Sequence, residues 1–423
     1  MSREDPSASQ RVPPQNWTML LLLTLVSVGF TMDRQVPMIV AELVKHEFQL
    51  SDAQLGLFQG LAYSLSYAVA GLLMGPVVDR RNRARLLAGM LFLWSGLTAI
   101  TAAVGSYFQL LAARFAVGAT EASASPSSLS IIADIFPPAR RGLAIGLYKM
   151  GTPLGYFAAS VGCGYIASTY GWRAAFLAAG IPGMLLTIAL LRWLPEPKRG
   201  AMEAGGGAKP EPIPFLKVLK LTWRAPGIGL MIFGLVIYSF ANVGAQAFVV
   251  PFLQRAHGMP LIQAASYFGI ASAIGGISPV LFGLINDRAT RGGIQRAAWV
   301  CAGIGAVTLV AGMLMATTGL VWLLVGALIL WQVLMLGISG INYATLLTLS
   351  PPGARGTLMS FILISTNLIA IGLGPWVTGL LSDHLGATGV ALRTAIIIMI
   401  SLNIFGIVAY AGAAWQLGRT RKI

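Results

Sequence analysis

Five ionisable side chains fall deep inside long apolar stretches of this 423-residue chain: Asp33, Arg34, Arg114, Glu121 and Lys149. Each costs roughly 2.5–3.5 kcal/mol at the centre of a spanning helix on insertion scales, so each should face a wet cavity or a partner. Two readings of the set stand. One is a buried ion-pair network that locks helices together. The other is a protonatable carboxylate beside a cationic anchor, in which desolvation favours the neutral acid and a nearby arginine the ionised one. Exchanging a proton for substrate at Arg114 would then switch Glu121 or Asp33 between states. Three cations against two anions bias such a cavity towards an anionic ligand. Lys149, beside Tyr148, either belongs to that cavity or snorkels to the interface from about two turns in.

Composition explains why these groups stand out. The apolar fraction is 56%, charged residues make up only 10%, and the mean hydropathy is +0.75. Soluble domains carry roughly 25% charged residues, so most of this surface should face lipid. A spanning helix needs about 20 mainly apolar residues. Twelve segments qualify, near 17–41, 54–78, 84–105, 107–133, 141–167, 173–194, 226–252, 261–285, 295–316, 319–347, 356–381 and 390–416. At 1.5 Å per residue, Asp33 lies roughly 25 Å along the first. Arg114 and Glu121 lie about 10 and 21 Å from the opposite end of the fourth. Asp33 can therefore approach Arg114. The seven-residue spacing of Arg114 and Glu121 puts both on one face, which Gly118 is expected to leave open.

The chain also says the same thing twice. Gly75-Pro-Val-Val-Asp79-Arg80-Arg-Asn-Arg83 is echoed 208 residues later by Gly283-Leu-Ile-Asn-Asp287-Arg288. Pro137-Pro-Ala-Arg-Arg141-Gly142 recurs as Pro351-Pro-Gly-Ala-Arg355-Gly356, at an offset of 214. Two echoes at nearly one offset indicate a duplicated bundle. The domain plan is a tail at 1–16, a six-helix bundle at 17–195, a linker at 196–225, a second bundle at 226–416 and a tail at 417–423. The linker is polar, glycine-rich and contains four prolines.

The formal charge of +15 is topological. With the N-terminus inside, 22 of the 29 Lys and Arg residues fall in tails and loops on that side. Only Lys45, Arg173, Arg255 and Arg393 fall in opposite loops. This asymmetry puts both termini in the cytoplasm and leaves no need for nucleic acid. Cys163 and Cys301 lie within expected helices, and His46, His257 and His384 are scattered. Neither a metal site, a cofactor nor an enzyme nucleophile is expected.

Here the residues reach a family. The Gly-x-x-x-Asp-Arg-x-x-Arg loop resembles the signature of the major facilitator superfamily, and Arg114-x-x-x-Gly118 resembles a second one. Met32-Asp33-Arg34, the Arg114-to-Glu121 stretch and Asn82 within the loop are similar to the Spinster-type branch. The organic anion:cation symporter branch shares Asp-Arg in helix one and Arg…Glu-Ala in helix four. Gly171-Trp172-Arg173-Ala-Ala-Phe176 occurs in that branch and in many Spinster-like sequences. The resemblance implies an all-α membrane fold of twelve helices in two pseudo-symmetric bundles. It also points to Asp33 and Glu121 for proton coupling and to Arg34 and Arg114 for substrate or gating. By the same resemblance Asp79, Arg83, Asp134 and Arg141 form a charge relay at the cytoplasmic face. Gly75, Arg80, Gly283, Asp287 and Arg288 complete the gating set, the two glycines by permitting close helix approach.

The second half lacks a central ionisable residue. Its polar and aromatic candidates for the substrate body are Asn242, Gln246, Trp331, Gln332, Asn342, Tyr343 and Asn367, residue types that in such helices more often make a helix–helix hydrogen bond than a ligand contact. Pro153 and Pro375 are expected to interrupt helices five and eleven. The sum is a proton-coupled secondary transporter in the plasma membrane, acting as a monomer on a small or amphipathic organic anion by alternating access. A lysolipid or a sugar acid would each fit. A proton-antiport exporter of drugs or metabolites, an uncoupled facilitator and a non-transporting receptor are the other readings.

Overall fold

The structure, a computed structural model, describes residues 12–200, 202, 225–351 and 354–419. The expected tail at 1–11, most of the linker with Lys209, Lys217, Lys220 and Arg224, the echoed Pro352 and residues 420–423 lie outside the described residues.

The described residues are almost entirely helical. The N-terminal half contains α1 (Pro14–Ile39), α2 (Ala41–Phe48), α3 (Asp52–Gly56), α4 (Ala62–Arg80), α5 (Arg83–Ile100), α6 (Tyr107–Glu121), α7 (Ala124–Ile135), α8 (Pro138–Lys149), α9 (Gly151–Phe157), α10 (Gly164–Tyr170) and α11 (Trp172–Trp193). The C-terminal half contains α12 (Ile228–Gln246), α13 (Val249–His257), α14 (Leu261–Thr290), α15 (Gln295–Thr317), α16 (Val321–Leu349), α17 (Arg355–Ser365), α18 (Gly374–His384), α19 (Gly389–Ser401) and α20 (Asn403–Arg419). Among the described residues three stretches wind as π-helix inside longer runs: Leu57–Leu61, Ala158–Cys163 and Thr366–Leu373. The third leads into the first turn of α18, where Pro375 sits, and the second follows Pro153. Regular winding fails beside both prolines.

Among the described residues ten helices are long and apolar enough to cross a membrane. The two other expected segments are helical but broken, 107–135 at Ala122–Ser123 and 138–170 at Met150 and the π stretch. Large apolar side chains such as Leu72, Leu73, Ile188, Leu191, Val310 and Val408 point outward, as lipid contact requires.

Local sequence sets the ends. Pro14 starts α1 in its first turn. Ser51 and Gln54 form a reciprocal capping box on α3. Asn82 of the repeated loop caps α5, its Oδ1 accepting from the Arg85 amide at 2.8 Å. The end of the bundle where α1 begins is called near below, and the end where it stops at Ile39 far.

Buried apolar residues form three clusters. One draws only on residues 19–194 and one only on 228–417, while the third joins both halves around Val36, Phe58, Phe248, Phe268 and Trp331. Small residues let backbones approach where lipid gives no hydrophobic drive between helices. Gly118 is such a place. A Cβ there would overlap the Tyr63 carbonyl of α4, so this face is filled by α4 and not open as expected from sequence. The opposite correction applies to Gly75 and Gly283. Nothing lies within 4 Å of where their Cβ atoms would be, so neither mediates close packing here.

Candidate functional site

Helices α1, α4 and α6 bring the charged residues together, but through an aromatic ring. Tyr63, 1% exposed, sits one residue into α4. The Arg34 and Arg114 guanidiniums stand 4.7 and 5.0 Å from its ring centroid. Its hydroxyl donates to Glu121 Oε2 at 2.5 Å. Arg34 also lies 4.8 Å from the Phe30 ring and 5.1 Å from Tyr67. A desolvated guanidinium over an aromatic face gains about 2 kcal/mol or more, which offsets part of its burial. No ion pair joins these charges among the described residues.

Asp33 and Arg114 do meet, though not as carboxylate and cation. Arg114 Nη1 donates to the Asp33 backbone carbonyl at 3.2 Å. Asp33 Oδ1, Glu121 Oε1 and Arg114 Nε are buried without hydrogen-bond partners. Three charged groups in one small volume thus keep unfilled valences, a state that needs explanation in a folded protein. Tyr63 was invisible to sequence reasoning, since a tyrosine in an apolar run looks like packing.

A cavity of about 280 Å³ opens against this cluster. Arg34, Gln35, Gln59, Tyr63 and Arg114 form its N-terminal wall, and Val243, Gln246, Met335 and Ile371 its C-terminal wall. Gln246 donates to Gln332 Oε1 at 3.2 Å, and Gln332 donates to Ser272 Oγ at 2.7 Å, so Gln332 backs the wall from behind. Asn367 lines a neighbouring cavity of about 230 Å³ with Tyr67 and accepts from Arg34 Nη2 at 3.5 Å, a bond between the halves.

The other candidates from sequence lie elsewhere. Trp331 Nε1 donates to Asn242 Oδ1 and Asn242 Nδ2 to Asn403 Oδ1, both at 2.8 Å, inside the C-terminal half and away from the cavity. Asn342 bonds the Tyr410 hydroxyl at 3.1 Å, again within that half. Lys149 is exposed, its Nζ 5.6 Å above the ring of buried Tyr148, and neither lines either cavity.

At the near end, Arg83 is the hub. It pairs with Asp134 at 2.5 Å and with Glu196 at 2.8 Å, and donates to Ser130 and the Pro197 carbonyl. Arg199 donates to the Val78 and Arg81 carbonyls. Arg141 donates to the Ala133 carbonyl at 2.8 Å, not to a carboxylate. Asp79, Arg80, Asp287 and Arg288 are exposed and form no ion pair among the described residues. Glu196 and Arg199 escaped sequence reasoning, which treated them as linker.

At the far end a second network crosses between the halves. Arg255 of α13 bonds Glu42 Oε1 at 2.6 Å and Asp52 Oδ1 at 2.7 Å. Lys45 pairs with Asp52 at 2.5 Å, and Ser382 donates to it at 2.6 Å. The Asp383 carboxylate accepts from the Asp52 and Ala53 amides at 2.9 and 2.8 Å, capping α3 from the opposite half. Glycines seal this seam: a Cβ at Gly379 would overlap the Asp52 carbonyl, and one at Gly56 the Pro375 carbonyl. Sequence gave Lys45 and Arg255 only as loop charges. Partners 203 residues apart leave no local signal.

Known proteins are similar to this chain in sequence and in fold. An MFS-type efflux pump of Mycolicibacterium smegmatis is 28% identical over 95% of this chain and 94% of its own. A probable L-galactonate transporter of Escherichia coli is 24% identical over 95% and 90%. The crystal structure of a bacterial homologue of the human lysosomal transporter Spinster, inward-facing and unoccupied, superposes with a TM-score of 0.84 at 25% identity, covering 97% of this chain and 99% of that one. These are transporters and not enzymes. The model of the Major Facilitator Superfamily matches residues 21–375, and this multi-pass membrane protein belongs to that family of transporters.

Proposed function

We propose that the chain is a proton-coupled secondary transporter of a small or amphipathic organic anion. It crosses the plasma membrane twelve times as a monomer, in six-helix bundles at 17–195 and 226–416, with both termini cytoplasmic. The near end is then the cytoplasmic one, in line with its arginines. The conformer described is closed outside by Arg255 and its partners. Asp79 and Asp287, which form no ion pair among the described residues, would engage across the cytoplasmic face in the alternate state, with Arg83, Asp134 and Arg141 as the relay.

One observation carries this reading: the Arg34 and Arg114 guanidiniums both lie within 5.0 Å of the Tyr63 ring centroid while the Tyr63 hydroxyl donates to Glu121. An anion entering the cavity competes with Tyr63 and Glu121 for the two guanidiniums. Glu121 then loses favourable charge and gains reason to bind a proton; release of the anion reverses the exchange. Asp33, whose Oδ1 is unpartnered, is the second proton site. The resemblance to the efflux pump supports a second reading, proton antiport outward, in which a substrate that pairs with the Glu121 carboxylate displaces its proton instead of recruiting one.

The test is proton flux in proteoliposomes challenged with sugar acids, aromatic acids and lysolipids, for the wild type and Glu121→Gln. Substrate-driven proton movement in the wild type, lost in Glu121→Gln while substrate exchange persists, is the expected result. Transport with no proton movement in the wild type would leave a facilitator with structural charges and end the coupling proposal.

A further inference from the structure

The cavity has a second kind of polar wall. Gln59 is 2% exposed, and neither its Oε1 nor its Nε2 has a hydrogen-bond partner; Gln35 is 6% exposed and its Oε1 is likewise orphaned. Both line the 280 Å³ cavity, with Gln246 facing them from the other half. Gln35 and Gln59 each lie seven residues, about two turns, from the far-end acids Glu42 and Asp52. A buried amide left unpaired costs about 1–3 kcal/mol, and helix packing had apolar alternatives at both positions.

We propose that Gln35, Gln59 and Gln246 form a carboxamide subsite that reads hydroxyl groups, so that the preferred substrate is a short polyhydroxylated carboxylate. This rests on the anion reading of Arg34 and Arg114. The guanidiniums hold the carboxylate, and the amides, which both donate and accept, meet hydroxyls that do the same. An acyl chain in the same space would leave the orphaned amides unsatisfied and is rejected for that reason. The volume agrees: it falls just below the ~300–1,000 Å³ of sites for drug-sized ligands. Gln332 and Ser272 hold Gln246 in place, so the third amide is fixed before a ligand arrives.

The experiment measures binding to the purified full-length protein of gluconate, of hexanoate, which has the same length and charge without hydroxyls, and of a lysophosphatidate. The variants are Gln59→Leu, Gln35→Leu and Arg114→Gln, with thermal melting to establish that each is folded. Gluconate should bind at least about tenfold tighter than hexanoate. Gln59→Leu or Gln35→Leu should shrink that ratio several-fold, and Arg114→Gln should weaken both acids alike. Equal binding of the two acids, or a ratio unmoved in both folded glutamine variants, overturns the carboxamide subsite and leaves the anion reading standing. Tightest binding of the lysophosphatidate overturns it too. If neither acid binds, or Arg114→Gln changes nothing, the anion reading falls and takes this proposal with it.

Discussion

The two ends of the molecule use the same chemistry to different effect. At the far end Arg255 reaches across to Glu42 and Asp52, and Asp383 caps α3 from the opposite half. At the near end Arg83, Asp134, Glu196 and Arg199 all belong to one half. A pair confined to one half stabilises that half in any arrangement of the two. A pair that crosses stabilises only the arrangement that closes it. Connectivity, not distance or burial, separates a brace from a latch.

Removing the crossing cation should have the largest effect. Arg255→Met leaves two largely buried carboxylates short of their main partner, a loss of about 3–5 kcal/mol for a buried pair. Spin labels placed across the far end should report longer, broader distances. An unchanged distribution would mean that backbone packing alone holds the seam. Arg83→Gln should lower the thermal midpoint through loss of about 3 kcal/mol while those far-end distances stay put. Movement at the far end in that variant would blur the distinction between the two networks. Gly379→Ala alters no charge but pushes a methyl into the Asp52 carbonyl, an overpacking of about 1–3 kcal/mol. It should lengthen the same distances as Arg255→Met, by less.

The smallest effect is expected at a far-end pair within one half. Hydrogen bonds from Arg173 and Trp172 hold the Glu47 carboxyl below the usual carboxylate range. Its contribution is therefore present above the ordinary value and lost as pH falls through the lowered one. Arg173 and Glu47 are each 40% exposed, so Glu47→Gln should cost about 0.5 kcal/mol or less in thermal melts at neutral pH. The difference from wild type should vanish in acid. The far-end distances should not move.

Sequence carried the helices well and the site in part. Apolar length alone marks the spanning runs, because no polar backbone survives in lipid outside a helix. Isolated charges in those runs mark Asp33, Arg34, Arg114 and Glu121, because burying a charge for no return is selected against. What joins them was not legible. Tyr63 belongs to a type common in packing and Gln59 carries no charge to mark it, and their roles appear only when α4 and the π stretch before it lie against α1 and α6. The far-end latch depends on residues from α2, α3, α13 and α18, and no period links them. Gly118 shows the limit of reasoning on one helix: its small side is real, but what it admits is another backbone.

The π stretch at Leu57–Leu61 has a mechanical consequence. It stores one residue more than plain α winding would use between the capped start of α3 and Tyr63. Were it to rewind as α-helix, everything from Tyr63 to Arg80 would advance like a screw, by about 1.5 Å and 100°. That turn would carry the ring away from its two guanidiniums. The length of the chain above Tyr63, and not its chemistry alone, thus sets the thread on which the switch is cut.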